Sequence, residues 1–408
     1  MVVFWVSVLA ISMLLYLLLD GFDLGVGMLF GLTRSEASRN IMLRTIAPFW
    51  DGNETWLIVA AVVLWSAFPV VYATLLSALY VPVVVMVAGL VLRDVSIEFR
   101  NEAQRRWIWD LCFARGSLAA SFMQGVMVGA LVEGLQFTNG QYSGGAFGWM
   151  TSFAVLCGVG LCFGYALLGA CWLVRKSDGQ IRDHARRAIP VFATTVLAFL
   201  VVVFLHALIK HLPIVHRWID RPYLFVFPAL DAVAAWVLAS SILRHDDRWP
   251  FHLVTLIFLS AFGTLALSFW PYMIPFAITI DRAAAPHSTL AFMFWGEGLF
   301  VFPLMLLYAV VGYRVFRGKL DLTADHHQTP VMPTFEGYNA DRNITTSNPY
   351  RDLVQDLMKR GVDIELCGAT VKAHGWGNAD LLPVVKVNTD AMARTTQLVQ
   401  AGFVKITE

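Results

Sequence analysis

Charge is scarce in this chain. Of 408 residues only 14% are Asp, Glu, Lys or Arg, while 58% are hydrophobic; a soluble domain carries about 25% charged residues. That shortage excludes an ordinary water-soluble globular protein and indicates a polytopic membrane protein. Net charge is nearly lacking as well, at +1, so neither nucleic acid nor an acidic partner is expected. Cysteine is sparse: Cys112, Cys157, Cys162, Cys171 and Cys367 are all there are, and no two make a C-x-x-C pair. Neither a zinc site nor a dithiol redox motif is supported. Cys157, Cys162 and Cys171 fall in one apolar run and read as small packing residues. The start of the chain has no basic segment ahead of its first apolar run, so that run is expected to stay as a span and not be cleaved as a signal peptide.

Long apolar runs are what the chain has instead. Nine are expected to cross a bilayer, at about 4–29, 52–73, 75–93, 115–134, 147–174, 188–209, 222–243, 250–271 and 290–313. They should be helices, because a helix satisfies its own backbone in lipid. The second and third are separated only by a short turn near Pro69. Basic residues collect in alternate loops, among them Arg34, Arg39, Arg44, Arg100, Arg105, Arg106, Arg175, Lys176, Arg314 and Lys319. The positive-inside rule makes that side cytoplasmic and puts the N-terminus outside. After Lys319 the composition turns polar. Residues 320–349 read as a linker, and 350–408 as a small, partial α/β segment, with strands expected at 363–367 and 403–407 and helices at 350–361, 369–374 and 389–401. The fold class expected is thus an all-α polytopic membrane protein of about nine transmembrane helices, occupying 1–319, with that partial α/β segment appended.

Carboxylates inside such runs are informative, because one at membrane depth costs roughly 2.5–3.5 kcal/mol on the insertion scale. Asp20 and Asp23 stand three apart in LLLDGFDLGVG, on one helix face. Two readings stand: a tight helix interface, with Gly21 and Gly25 allowing close approach, or carboxylates that conduct protons or cations. Asp51, in APFWDGNETW, would cap a helix or, among Phe49, Trp50 and Trp56, occupy a protein-covered site able to exchange protons. Arg93, Asp94, Glu98 and Arg100 read as a solvated charged face, with a proton-collecting mouth as the alternative. Glu297, in FWGEGLF, is divided between a structural hydrogen bond and proton movement. His206 and Lys210 read as interfacial groups and not as metal or haem ligands. Cys367 is either a small buried thiol or a reactive one at a strand end.

Several blocks occurring in order resemble subunit II of cytochrome bd-type quinol oxidases, most of all the cyanide-insensitive branch: DGFDLGVG (20–27), APFWDGNETWL (47–57), LRDVSIEFR (92–100), FWPYMIP (269–275) and YRVFRGK (313–319). The resemblance covers 1–320. It implies a subunit of a terminal respiratory oxidase of the bacterial inner membrane that reduces oxygen to water with electrons from ubiquinol. It implies that haem b and haem d, and the quinol-oxidising loop, belong to a partner subunit I, with no cofactor on this chain. Subunit II would stabilise that assembly and help deliver cytoplasmic protons. The family's WDGN carboxylate matches Asp51 and the first carboxylate of DGFD matches Asp20; Asp23, Glu98 and Glu297 follow as further proton-path candidates. Lipid and a small accessory subunit would complete the surroundings. Residues 350–408 resemble the C-terminal half of a DsrE-like sulfur-relay domain, with Cys367 at the position of its reactive cysteine. Two rival functions remain: a purely structural scaffold subunit, and a secondary transporter, although no second copy of DGFDLGVG or WDGNETW is present.

Overall fold

Helix α1 (Val2–Leu32) is the axle of the bundle. In the computed structural model of the chain it touches α3 (Trp50–Ala67), α5 (Arg106–Glu133) and α6 (Ser152–Lys176). The structure describes residues 1–319 apart from 101–102, 139–140, 211–217, 245 and 317, and, in the tail, 356, 359, 365–367 and 386–388. Between α1 and α3 lies α2 (Glu36–Ile46), a helix where a loop is expected from composition. Its signals are nevertheless local: Ser35 Oγ accepts from Ser38 N at 3.3 Å, Glu36 occupies the first turn and Arg44 the last. The remaining long helices are α4 (Pro69–Phe99), α7 (Gly179–Ile209), α8 (Val226–Leu243) and α9 (Pro250–Phe269). After α10 (Ile280–Ala283), α11 (His287–Met293) runs through a π-helical turn, Phe294–Gly298, into α12 (Val301–Val315).

Among the described residues eight helices are long and apolar enough to cross a membrane. Helix α3, with 18 residues, is not among the eight, one fewer than the nine expected: its opening turn carries Asp51, Asn53 and Glu54, which dilute its apolar content. The turn between the second and third spans falls at Phe68, directly before Pro69, as expected, because proline suits the first residue of a helix; the two helices' bounds differ from those of the apolar runs. The third span then runs on for 31 residues through a kink at Leu79 (φ −121°, ψ 20°), three residues ahead of Pro82.

Close packing explains why α1 is central. A Cβ on Gly25 would fall on the Tyr165 carbonyl of α6, and one on Gly169 would stand 2.5 Å from the Gly25 carbonyl carbon. The two backbones therefore touch, as small residues permit in membranes. Beside this seam the core is aromatic, one cluster of rings: Phe22 stacks on Trp172 at 4.1 Å, and Phe49 on Tyr313 at 4.7 Å. Two short antiparallel hairpins, Phe137–Thr138 with Gln141–Tyr142 and Tyr272–Ile274 with Ile278–Thr279, lie in loops.

The chain divides into two compact units, Met1–Leu320 and Asp321–Glu408. Of the second, the described part is a parallel strand pair, Glu365–Cys367 with Lys386–Asn388, and helical residues Asp356 and Lys359. The strand expected at 363–367 is thus present at 365–367. The linker 320–349, the helices at 369–374 and 389–401, and the strand at 403–407 lie outside the described residues.

Candidate functional site: a buried charge network at the basic end of the bundle

Arg93 organises the site. It comes from the last turns of α4 and is fully buried, with no exposed side-chain area. Its guanidinium spends all three nitrogens on carboxylates from three places: Nη1 on Asp20 Oδ1 at 2.5 Å, Nη2 on Glu54 Oε2 at 2.8 Å and Nε on Asp94 Oδ1 at 2.9 Å. A planar fork with fixed donors suits this better than an ammonium would. The solvated charged face expected for Arg93 and Arg100 is therefore incorrect. Arg100 is 1% exposed and joins Asp110 (2.5 Å), Glu36 (2.8 Å) and Asn40 (2.7 Å), while Arg39 reaches the other oxygen of Asp110 at 2.9 Å. Both Arg39 and Arg100 lie over the Phe30 ring, at 5.2 and 5.4 Å. This second cluster ties the end of α1 and α2 to the turn between α4 and α5.

Asp23 is held separately. Asn53 Nδ2 donates to Asp23 Oδ2 at 2.7 Å, and Tyr313 of α12 donates its hydroxyl to Asn53 Oδ1 at 2.8 Å. Asp20 Oδ2 and Asp23 Oδ1 are buried with no hydrogen-bond partner among the described residues. Each is a lone pair in a low-dielectric interior, costing about 1–3 kcal/mol when left unmet, and each is a natural seat for a transferable proton. A third chain lies one turn before Asp20: Gln124 donates to the Tyr16 hydroxyl at 2.7 Å and accepts from Tyr165 at 2.8 Å.

The structure thus brings Asp20 and Asp23 together, one turn apart on α1 and both without exposure. Asp51 is not part of the network. It lies exposed in the first turn of α3, three residues before Glu54, and Phe49 holds the N-cap position with no side-chain cap bond. Glu54 is the carboxylate between them, with 20% of its side chain exposed; spacing alone did not single it out, although its place in WDGNE was visible. Glu98 is exposed on α4, outside the cluster. Glu297 is exposed in the π-helical turn. Cys367 ends a strand of the tail, and its side chain lies outside the description.

The His206 ring is stacked on Phe153 at 4.7 Å, and His252 Nε2 is bonded to Arg175 at 2.9 Å. Among the described residues no group of three His, Cys, Asp or Glu side chains could hold a metal.

Comparison with known proteins bears on what this network serves. A family model described as cytochrome bd terminal oxidase subunit II matches residues 1–316, and one described as DsrE/DsrF-like matches 310–407. The chain is 29% identical to the probable cytochrome oxidase subunit 2 of Haemophilus influenzae, covering 76% of this chain and 89% of that protein. It is 27% identical to the cytochrome bd-I ubiquinol oxidase subunit 2 of Escherichia coli K12 (78% and 94% covered) and to the cytochrome bd ubiquinol oxidase subunit 2 of Bacillus subtilis (78% and 96%). A chain of the bd oxidase from Geobacillus thermodenitrificans shares the fold, with a TM-score of 0.63 at 16% identity over 77% of this chain and 96% of that one.

Proposed function

The chain belongs to the cytochrome bd terminal oxidase subunit II family, and from that premise we propose that its buried charge network relays protons from the basic end of the bundle toward a haem-bearing partner. The chain is a subunit of a quinol-oxidising oxidoreductase complex, integral to the inner membrane, and works beside a subunit I. The haems b and d are assigned to that partner; bound there, they supply the oxygen chemistry.

One observation carries the relay: two fully buried carboxylates on α1, each with an unmet oxygen, stand one turn apart at the level where α3 begins. Asp51, exposed on the outer side of α3, collects the proton. Glu54, about one turn further and partly exposed, passes it inward. Arg93 holds Glu54 and Asp20 in place and keeps negative charge tolerable in the interior; Asp23 extends the sequence along α1. The basic loops place this end on the cytoplasmic side and the N-terminus outside.

Exposure of Asp51 and Glu297 has the same explanation. A carboxylate on the lipid-facing surface of a span is costly, so the face formed by α3 and the α11–α12 segment is assigned to contact with subunit I. Tyr308 of α12 lies against Gly52 of α3, which makes the two elements neighbours on that face. Stabilising the haem assembly follows from covering it. Glu98 is kept as a peripheral collector of protons, and lipid and a small accessory subunit as further neighbours of the chain. For Cys367 we propose no sulfur transfer.

The test is Asp51→Asn in the purified two-subunit complex. With haem content intact, oxygen consumption per haem should fall by about tenfold or more, within the range for loss of a positioned proton-transfer group. Unchanged turnover across pH would remove Asp51 from the path. A lower yield with full turnover per haem would favour the scaffold reading, which the threefold engagement of Arg93 also suits.

A further inference from the structure

Polar side chains inside a bilayer are costly and rarely idle, and three beside Asp20 have no part yet in the relay. Tyr16 of α1, Gln124 of α5 and Tyr165 of α6 are 5%, 8% and 0% exposed. They form a line of hydrogen bonds with a fixed direction. The Tyr165 hydroxyl donates to Gln124 Oε1 at 2.8 Å, and Gln124 Nε2 donates to the Tyr16 hydroxyl oxygen at 2.7 Å. Tyr165 is gripped at the head of this line: its ring stacks on Phe258 of α9 at 5.8 Å, and its edge fills the space that a Cβ on Gly21 would need. With its oxygen accepting from Gln124, Tyr16 keeps a hydroxyl hydrogen to give. Asp20 follows one turn later on the same face of α1, and the Tyr16 hydroxyl bears on its carboxylate.

Asp20 has a place for that hydrogen. Its Oδ1 is taken by Arg93, and its Oδ2 is buried with no bond formed. The charged and titratable groups around it are Glu54 from α3, Arg93 and Asp94 from α4, Tyr165 from α6, Tyr313 from α12, and Tyr16 and Asp23 on α1 itself. Ionised carboxylates accept and cannot donate. Arg93 already spends each nitrogen on a carboxylate oxygen, its share for Asp20 going to Oδ1. The Tyr165 hydroxyl is given to Gln124, and that of Tyr313 to Asn53. Among the described residues, Tyr16 is the donor left for Oδ2. We propose, on the reading of Asp20 as a relay group, that Tyr16 is a positioning residue of that relay: its hydroxyl donates to Asp20 Oδ2, aimed there by Gln124 and, through it, by Tyr165. A donor on the anion favours the charged form, so the line sets how readily Asp20 passes its proton on.

The experiment uses the purified two-subunit complex, with haem absorbance as the control for assembly. Wild type is compared with Tyr16→Phe, Gln124→Leu and Asp20→Asn. Oxygen consumption per haem is followed across pH, and the protonated-carboxyl band that Asp20→Asn removes is followed by infrared difference spectroscopy. Tyr16→Phe should move the pH profile of turnover by roughly one unit to the alkaline side, the worth of one hydrogen bond, and raise the frequency of the Asp20 band. Gln124→Leu, which leaves the hydroxyl but not its aim, should move both the same way by less. A merely structural role would lower the melting temperature of Tyr16→Phe and leave profile and band as in wild type; that result overturns the proposal. Asp20→Asn separates the two claims: turnover like wild type removes Asp20 from the relay, and the contact with Tyr16 is then judged by the band alone.

Discussion

Replacing Arg93 by glutamine removes the one cation that faces Asp20, Glu54 and Asp94 together. The side chain is fully buried, so water cannot take its place at Asp20, which has no exposure either. Breaking a buried ion pair by deleting one partner costs about 3–5 kcal/mol, because the remaining charge is left uncompensated. That corresponds to a factor of roughly 10²–10³ or more against the packed arrangement of α1, α3 and α4. The assay is the yield of haem-containing complex and its loss of haem absorbance on heating. Arg93→Gln should cut both yield and melting temperature sharply. Adding Asp20→Asn to Arg93→Gln removes the stranded charge and should recover part of the loss, so that the double variant assembles better than Arg93→Gln alone. Arg93→Lys keeps the charge but not the three-way fork, and should fall between wild type and glutamine. Two results would refute the reasoning: Arg93→Gln assembling and melting like wild type, or the two substitutions adding their penalties independently.

Three further substitutions probe other parts of the arrangement. Gly25→Ala drives a methyl group into the backbone of α6, and should cost at least about 1–3 kcal/mol as overpacking does, seen as reduced yield of assembled complex. Glu54→Gln keeps one hydrogen-bond acceptor for Arg93 but cannot carry a proton; it should preserve haem content and lower oxygen consumption per haem by about tenfold or more. Tyr313→Phe deletes the hydroxyl that fixes Asn53 beneath Asp23, worth about 1 kcal/mol of stability by melting, and should leave turnover within about twofold if Asn53 only orients Asp23.

What could be read in the sequence follows from the physics of each feature. Spans are set by apolar length alone, a local property, and the runs around α1, α6, α8 and α9 were visible as such. The apolar run continues through Phe68, so Pro69 alone marks the turn there, and the bounds of α3 and α4 are not legible from apolar length. Asp20 and Asp23 announced themselves as charges in an apolar helix. Arg93 did not, because it sits near a span's end where an arginine usually reaches water; its burial depends on α1 and α3 packing around it, pairings 73 and 39 residues apart. Glu54 was hidden beside Asp51, since adjacent turns of one helix give no sign of which carboxylate turns inward. Gly21 and Gly25 did show in advance where two backbones meet, and α6 is the partner they found.

That seam also limits how the acids are reached. Where Gly25 and Gly169 touch, main chain lies on main chain and leaves no room for a file of water molecules between α1 and α6 at that level. Gly25 stands two residues beyond Asp23, toward the end of α1 that leads into α2. A wet route from that end to the aspartates is therefore closed along α6 and left to the opposite flank, where Glu54 keeps 20% of its side chain exposed.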